Sequence, residues 1–170
     1  MAFRTTSRRR GATTLAISIG LLVVCVASSA ATAAKPKPTA ATKAFCADAK
    51  NLAALDTKTL KDITSGVDVI SPGYVSRQFG DSLAILHPMY LHSPAAILAT
   101  TKQYLNAYID YGKQIGEVHW KLQPTDPAQR KIVTDATLAY APIATADLPK
   151  LDAFSNKTCG FGLNLITAPK

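Results

Sequence analysis

Four side chains that can bind haem iron stand close together in the middle of the chain. They are His87, Met89, Tyr90 and His92, placed on both sides of Pro88. Imidazole, thioether and phenolate groups all serve as ligands of haem iron. The chain has no Cys-x-x-Cys-His motif, which excludes covalent haem attachment. The stretch therefore predicts either a noncovalent haem site or, as we prefer, a polar turn between two helices with Tyr90 packed inward.

The spacing of the two histidines is not that of a helical metal site. Histidine pairs that bind a metal from one helix face stand four residues apart. His87 and His92 are five positions apart, and a proline lies between them. We therefore predict no metal and no cofactor, and we keep haem as an alternative.

A stripe of tyrosines forms the second group of chemically interesting residues. Tyr104, Tyr108 and Tyr111 follow each other at helical spacing, and His119 and Trp120 stand at the end of the same segment. Such a stripe can line a cleft for a lipid, a glycan or an aromatic ligand. Tyrosines also pack in cores with their hydroxyls at the rim, and we prefer this interpretation.

Catalytic motifs are absent from the sequence. The chain has no His-Glu-x-x-His, no Gly-x-Ser-x-Gly and no phosphate-binding glycine loop. A catalytic function from dispersed residues stays open, but we expect none.

The elements that must position these residues are helices. Apolar residues step by threes and fours, and no alternating strand pattern appears. The expected helices cover residues 43–55 with a short second piece through 63, residues 75–90, residues 94 to about 122, and a fourth segment from 127. Four main helices with short loops predict an all-α, up-down bundle.

Prolines and capping residues predict where these helices start and stop. Ser93 is expected to cap the third helix, with Pro94 in its first turn, and Asp126 precedes Pro127 in the same way.

Three further prolines fall inside the predicted helices. Pro88 is expected to break or kink the second helix, and Pro142 and Pro149 to bend or split the last one.

The N-terminal region has the layout of a secretory signal. Basic residues come first, an apolar run follows, and small residues lead to Ala33 and Ala34. We predict a signal peptide over 1–34 that is cleaved near Ala33 or Ala34, a Lys/Pro/Ala/Thr linker over 35–42, and a single helical domain over 43–170. An uncleaved anchor is the alternative; after cleavage no membrane span remains.

Cys25 belongs to the apolar core of this predicted signal. A lipoprotein anchor requires a small residue before the cysteine, and Val24 is too large, so we do not expect anchoring at Cys25. The protein is expected to be secreted or held in the cell envelope.

Cys46 and Cys159 are then the two cysteines of the mature chain. In an oxidising compartment a disulfide is the default, and two cysteines so far apart lack the spacing of a zinc site. A Cys46–Cys159 bond predicts that the first and last elements lie side by side.

Half of the net charge of +8 comes from the predicted export signal. Without residues 1–34 the chain has 15 basic and 11 acidic residues, a net charge of +4. Scattered lysines at this density are typical of a solvated surface, so we expect no nucleic-acid partner.

Three features together resemble a diffuse group of small exported helical proteins of actinobacteria. They are Phe45-Cys46 in the first helix, the Ser93-Pro94 start of a central helix, and Cys159-Gly160 followed by a short apolar tail. The resemblance implies a bacterial, exported α-helical domain with a disulfide, and it implies no activity. Members commonly carry a lipoprotein box, which this chain lacks.

Three functions follow as hypotheses. The first is a non-catalytic interaction module that binds a protein or another envelope component; the second is a carrier of haem or an apolar ligand; the third is an enzyme of unrecognised type. A filled core with an exposed apolar groove would favour the first. A large cavity beside His87 or Tyr104 would favour the second, and convergent Asp and His groups in one cleft would favour the third.

Overall fold

The computed structural model describes residues 39–163. Within them lie four α-helices and no strand: α1 Ala40–Thr64, α2 Pro72–Leu91, α3 Ala95–Glu117 and α4 Pro127–Cys159. The predicted all-α class with four main helices is confirmed.

The helices form an up-down bundle. α1 packs on α2, α2 on α3, α3 on α4, and α4 returns to α1, so each helix contacts two neighbours. The connections over 65–71, 92–94 and 118–126 are short, which places consecutive helices antiparallel.

The core is built from the inward faces of all four helices. On α1 the fully buried side chains are Phe45 and Ala49, and Leu52 follows on the same stripe. The other buried apolar residues of this core are Leu86, Met89, Ile97, Tyr104, Leu105, Ala144, Leu151 and Leu163. Burial of this apolar surface is the main driving force for the bundle.

The disulfide between Cys46 and Cys159 is confirmed, and it joins α1 to the end of α4. The two Cα atoms are 5.5 Å apart. Beside it, the rings of Phe45 and Phe154 meet edge to face at 5.4 Å. The chain turns at Gly160, whose φ of 83° is left-handed, and the Leu163 amide then donates to Asp152 Oδ1 at 2.7 Å. This end of the bundle is therefore closed both covalently and by packing.

α1 is one continuous helix, longer than predicted at both ends. It begins at Ala40, inside the stretch predicted as linker, where the Thr39 hydroxyl accepts the Thr42 amide. The expected stop near Asp56 is wrong. Thr57 and Thr59 donate to carbonyls four residues back, so their hydroxyls are satisfied within the helix.

The prolines do not break or split the helices, contrary to one form of the prediction. α2 continues through Pro88 to Leu91, and α4 runs unbroken through Pro142 and Pro149. These last two prolines are exposed and seven residues apart, hence on one face of α4. Leu138 and Thr145, whose carbonyls lose their helical donor, are exposed residues, so solvent can satisfy these carbonyls.

α3 differs from prediction at both ends. Pro94, not Ser93, is its N-cap, and the Ser93 hydroxyl lies 2.8 Å from the Met89 carbonyl and 2.9 Å from the Thr101 hydroxyl. The helix ends at Glu117 rather than near residue 122, because His119 and Trp120 adopt left-handed backbone conformations, with φ of 55° and 63°.

Candidate functional site

The predicted tyrosine stripe meets a fourth tyrosine from the last helix. Tyr104, Tyr108 and Tyr111 of α3 all contact Tyr140 of α4, with ring centroids 6.2, 5.9 and 5.0 Å away. The hydroxyls of Tyr104 and Tyr140 lie 2.9 Å apart and form a hydrogen bond. The stripe is thus interhelical packing, and the hydroxyl of Tyr104 is paired with that of Tyr140.

Two further rings extend this packing toward α2. Phe79 stacks on Tyr108 at 4.8 Å and contacts Trp120 at 5.1 Å. We call the six residues Phe79, Tyr104, Tyr108, Tyr111, Trp120 and Tyr140 the aromatic cluster. Its members fill the space between α2, α3 and α4 with one another, as aromatic pairs do at these separations.

Asp56 of α1 lies beside the aromatic cluster, and sequence reasoning missed it. It continues the inward stripe of Ala49 and Leu52, three or four residues further at each step. Burial raises its carboxyl pKa from 3.8 to about 6. Its charge in turn contributes to the raised pKa of Tyr104 and Tyr108, although burial of those phenols is the larger cause. The stripe itself was the signal by which Asp56 could have been found.

The tyrosines of the aromatic cluster are hydrogen-bonding groups rather than nucleophiles. Burial raises the pKa of Tyr104, Tyr108 and Tyr140 above their ordinary value, so their hydroxyls stay protonated at neutral pH. They donate and accept hydrogen bonds but supply no phenolate. Asp56 is the one member of this neighbourhood whose pKa, at about 6, lies near neutrality.

The four residues predicted as haem ligands do not converge. His87 is exposed, Met89 is fully buried in the core, and Tyr90 is half-buried against that core. The first three lie within α2 rather than in a turn, and His92 caps its C-terminus. The predicted interhelical turn is therefore wrong, whereas the inward packing of Tyr90 agrees with expectation.

His92 already has a partner on another helix. Its Nδ1 lies 2.7 Å from Asp48 Oδ2 of α1, a contact that ties the end of α2 to the first half of α1. His119, the remaining candidate, is exposed on the left-handed turn after α3. Among residues 39–163, no group of three or more His, Cys, Asp or Glu side chains could hold a metal ion.

A buried carboxylate on α4 was also missed. Asp147 is 1 % exposed; its Oδ1 accepts from Lys150 Nζ at 2.9 Å, and its Oδ2 has no hydrogen-bond partner. Lys150 reaches it from one helical turn away, with most of its own side chain in solvent.

The end of the bundle opposite the disulfide is apolar on its outside. Leu60, Ile63, Val67 and Ile70 are 41, 45, 44 and 47 % exposed. We call these four residues the apolar end. Gly66, with φ of 77°, lets the chain turn there: its amide donates to the Ile63 carbonyl, and the Val67 amide donates to the Asp62 carbonyl.

A polar group borders the apolar end. Asp62 Oδ2 accepts from the Tyr74 hydroxyl at 2.9 Å and from Lys58 Nζ at 3.1 Å, and Arg77 lies over the Tyr74 ring. These two hydrogen bonds, first the one from Tyr74, lower the pKa of Asp62. The bonds connect the last turns of α1 to the first turn of α2.

Two open grooves lie elsewhere on the described surface. One, of about 460 Å³, runs between α3 and α4 beside Lys102, Asn106, Asp110 and Ile143. The other, of about 440 Å³, lies beside Leu122, Pro124 and Arg130. Neither is lined by a residue of the aromatic cluster or by a predicted haem ligand.

Fold and site together define a disulfide-linked four-helix bundle with a filled aromatic cluster and an apolar end. Comparison with known proteins found no matching family model, no matching curated protein and no matching solved structure. In the described part of the chain, none of the helices combines the length and apolarity needed to cross a membrane.

Proposed function

We propose that the protein is an exported, non-catalytic interaction module that works outside the cell or in the cell envelope. The predicted signal over 1–34 supports export, and the Cys46–Cys159 disulfide is compatible with an oxidising compartment. The apolar end is the proposed docking surface. Its exposed aliphatic side chains are the observation that carries the proposal.

The position of Ile63 makes this exposure unusual. Ile63 follows Phe45 by about five helical turns, so both side chains point to the same side of α1. Phe45 is fully buried, whereas Ile63 is 45 % exposed. The inward stripe of α1 thus continues past the part that its own bundle covers. Leu60, Ile63 and Val67 follow each other at helical spacing, and exposed apolar side chains grouped in this way are typical of sites for binding partners.

The chemistry of the apolar end favours a protein partner with an aliphatic face. Its four members are Leu, Ile, Val and Ile, without the aromatic residues that anchor proteins at membrane interfaces. The nearby charges are of both signs: Lys58 is paired with Asp62, Lys61 and Asp68 have opposite signs, and Arg77 lies over the Tyr74 ring. A polybasic cluster, which anionic lipid would attract, is not formed by these residues. An apolar centre with a mixed polar rim is the usual layout of a protein–protein interface.

The filled aromatic cluster supports this function over the carrier hypothesis. A carrier requires space for its ligand, and the rings of the cluster pack on each other instead. The separation of His87, Met89 and His92 supports the same choice.

A photo-crosslinking experiment tests the docking surface. A photoreactive residue replaces Ile63 in one variant and Leu138 in another; Leu138 is 68 % exposed on α4 and serves as the matched control. The partner is the protein that crosslinks to position 63 and not to position 138. It is identified, purified and titrated with the unmodified chain. We expect the double variant Ile63→Ser/Val67→Ser to bind it at least tenfold more weakly, and Leu138→Ser to bind it normally.

Two other occupants of the apolar end would overturn the proposal. Light scattering that finds a dimer lost in Ile63→Ser/Val67→Ser would assign the surface to a second copy of the chain. Flotation with phosphatidylglycerol vesicles that depends on the same residues would assign it to a membrane. Equal crosslinking from positions 63 and 138 would also overturn it.

A further inference from the structure

After α4 the chain turns back and runs along that helix in the opposite direction. The Ser155 hydroxyl donates to the Phe161 carbonyl at 2.9 Å, and the Leu163 amide donates to Asp152 Oδ1 at 2.7 Å. Phe161 thus lies beside Ser155, and Leu163 lies about one helical turn nearer the start of α4. Leu163 is fully buried, so the returning segment is part of the packed bundle.

Asp152 belongs to a stripe of α4 that leads onward in the direction of this return. Pro149, Thr145 and Ala141 precede Asp152 by three, seven and eleven residues, which places all four positions on one side of the helix. Pro149, Thr145 and Ala141 are exposed, and we call these three residues the outer stripe of α4. A chain that keeps the direction of residues 161–163 reaches the outer stripe next.

The outer stripe is uncharged and offers a hydrogen-bond acceptor. Over residues 136–149 the one charged residue of α4 is Asp147, and it is buried. Pro149 has no amide hydrogen, so the Thr145 carbonyl lacks its usual helical donor. A helical carbonyl points toward the residue four positions later, so this one faces the outer stripe. A peptide segment that lies there can donate an amide to it.

Residues 164–170, which follow Leu163 directly and lie outside the described part of the chain, match this surface in chemistry and reach. Their sequence is Asn-Leu-Ile-Thr-Ala-Pro-Lys, with no acidic residue and with one lysine at position 170. In extended form these seven residues span about 23 Å. The distance along α4 from Asp152 back to Ala141 is about 17 Å. The segment is therefore long enough to cover the whole outer stripe.

We propose that residues 164–170 dock along the outer stripe of α4 and cover it. Leu165 and Ile166 pack on Pro149 and Thr145, and a backbone amide of the segment donates to the Thr145 carbonyl. Attachment to the bundle gives the segment an effective concentration on the order of millimolar, which favours it over a separate molecule on the same surface. The apolar end takes no part in this contact, so the proposal does not depend on the proposed function.

Nuclear magnetic resonance of the oxidised, signal-cleaved protein tests the docking. We expect residues 165–168 to have backbone order parameters near the rigid value of about 0.85, rather than values below about 0.6. Thr145→Lys places a charge beneath the segment and should lower these order parameters to the flexible range. Ala146→Lys is the matched control: Ala146 is also exposed on α4 but is rotated by about 100° from Thr145, so its replacement should leave the order parameters unchanged.

A variant of the segment itself keeps the test valid if Thr145→Lys does not fold. Leu165→Asp/Ile166→Asp leaves every residue of the described bundle unchanged. It should raise the access of a soluble gadolinium chelate to the Thr145 methyl group at least twofold, whereas access to the Ala146 methyl group should stay the same.

Three results would overturn the proposal. The first is a flexible range of order parameters for residues 165–168 in the unmodified protein. The second is equal access to the Thr145 methyl group with and without the segment substitutions, which would place the segment elsewhere. The third is order that appears only as the protein concentration rises, which would assign the outer stripe to a second copy of the chain.

Discussion

The ring of Phe79 on α2 fills the place beside Gly112 on α3 where any other residue would put its Cβ atom. The same ring stacks on Tyr108 and contacts Trp120. Gly112 is buried within α3, so the absence of a side chain there serves packing and not backbone flexibility. The close approach of α2 and α3 depends on this one glycine.

The variant Gly112→Ala is expected to lower the free energy of unfolding by about 1–3 kcal/mol, because the new methyl group overlaps the Phe79 ring. Urea unfolding measures the change. Gly80→Ala is the matched control: it also lies inside a helix, but its Cβ would meet nothing within 4 Å. Alanine should raise stability there by about 0.5–1 kcal/mol. Equal effects at the two sites would contradict the packing role of Gly112.

Replacing His119 with glycine should stabilise the folded protein. Its φ of 55° costs a residue with a Cβ about 1–2 kcal/mol, part of which glycine regains despite its greater freedom in the unfolded chain. We expect His119→Gly to raise the melting temperature, with a gain of about 0.5–1 kcal/mol. His119→Ala keeps the Cβ and should show no gain. A lower melting temperature for the glycine variant would mean that the His119 side chain itself stabilises the turn.

Asp56 should make stability depend on pH. Its pKa is about 6 in the folded protein and 3.8 ordinarily, so between about pH 4 and pH 6 the folded protein binds the proton more tightly than the unfolded chain. The free energy of unfolding therefore falls as the pH rises through this window. Because Asp56 is only partly buried, we expect a change of about 1–2 kcal/mol after solvent screening.

Asp56→Asn should remove this slope and be more stable than the unmodified protein at pH 7 by a similar amount. Urea unfolding at pH 4.5 and pH 7 measures both effects, with Asp81→Asn as the control. An Asn variant that is less stable at pH 7 would show that the ionised carboxylate has a partner.

The disulfide should contribute a large share of the stability. It spans 113 positions of the sequence, and a loop of this size corresponds to about 3–5 kcal/mol. Unfolding with and without a reductant measures the difference, and the double variant Cys46→Ser/Cys159→Ser should match the reduced protein. Thiol labelling of the unreduced, signal-cleaved protein should find no reactive cysteine.

Haemin should not bind specifically. His87 is exposed, Met89 is buried in the core and His92 contacts Asp48, so we expect no two of them to bind one iron while the end of α2 stays helical. Adding haemin is expected to leave its Soret band at the position of the free compound. A shifted band that is lost in His87→Ala, but kept in the exposed control His119→Ala, would reopen the carrier hypothesis.

Much of the fold could be predicted because its signals are local. Asp126 and Pro127 mark the start of α4 as expected, and the Asp126 side chain accepts the Gln129 amide. The errors came where local rules compete with packing. Pro142 lies on an exposed face of α4, where solvent can satisfy the carbonyl that loses its helical donor. α3 ends before the left-handed residue His119, a position that is usually occupied by glycine.

The candidate site was predicted only in part. Tyr104, Tyr108 and Tyr111 share one packed stripe, as expected, but their partner Tyr140 comes from another helix, which the spacing on α3 does not indicate. The position of Asp56 on the stripe could be predicted, but its raised pKa could not, because burial by other helices causes that shift. The apolar end was missed for the same reason: Ile63 has the position of a core residue.

By itself the sequence determined the helical class, the inward stripe of each helix and the cysteine pair, since helical period and cysteine number are properties of the chain alone. The tertiary structure decided which stripes meet. Because of it, the hydroxyls of Tyr140 and Tyr104 form a hydrogen bond and Phe79 fills the space at Gly112. Asp56 is desolvated for the same reason, whereas Ile63 stays exposed to solvent. Desolvation and close packing are set by every element around a side chain, whereas periodicity is set by its own helix.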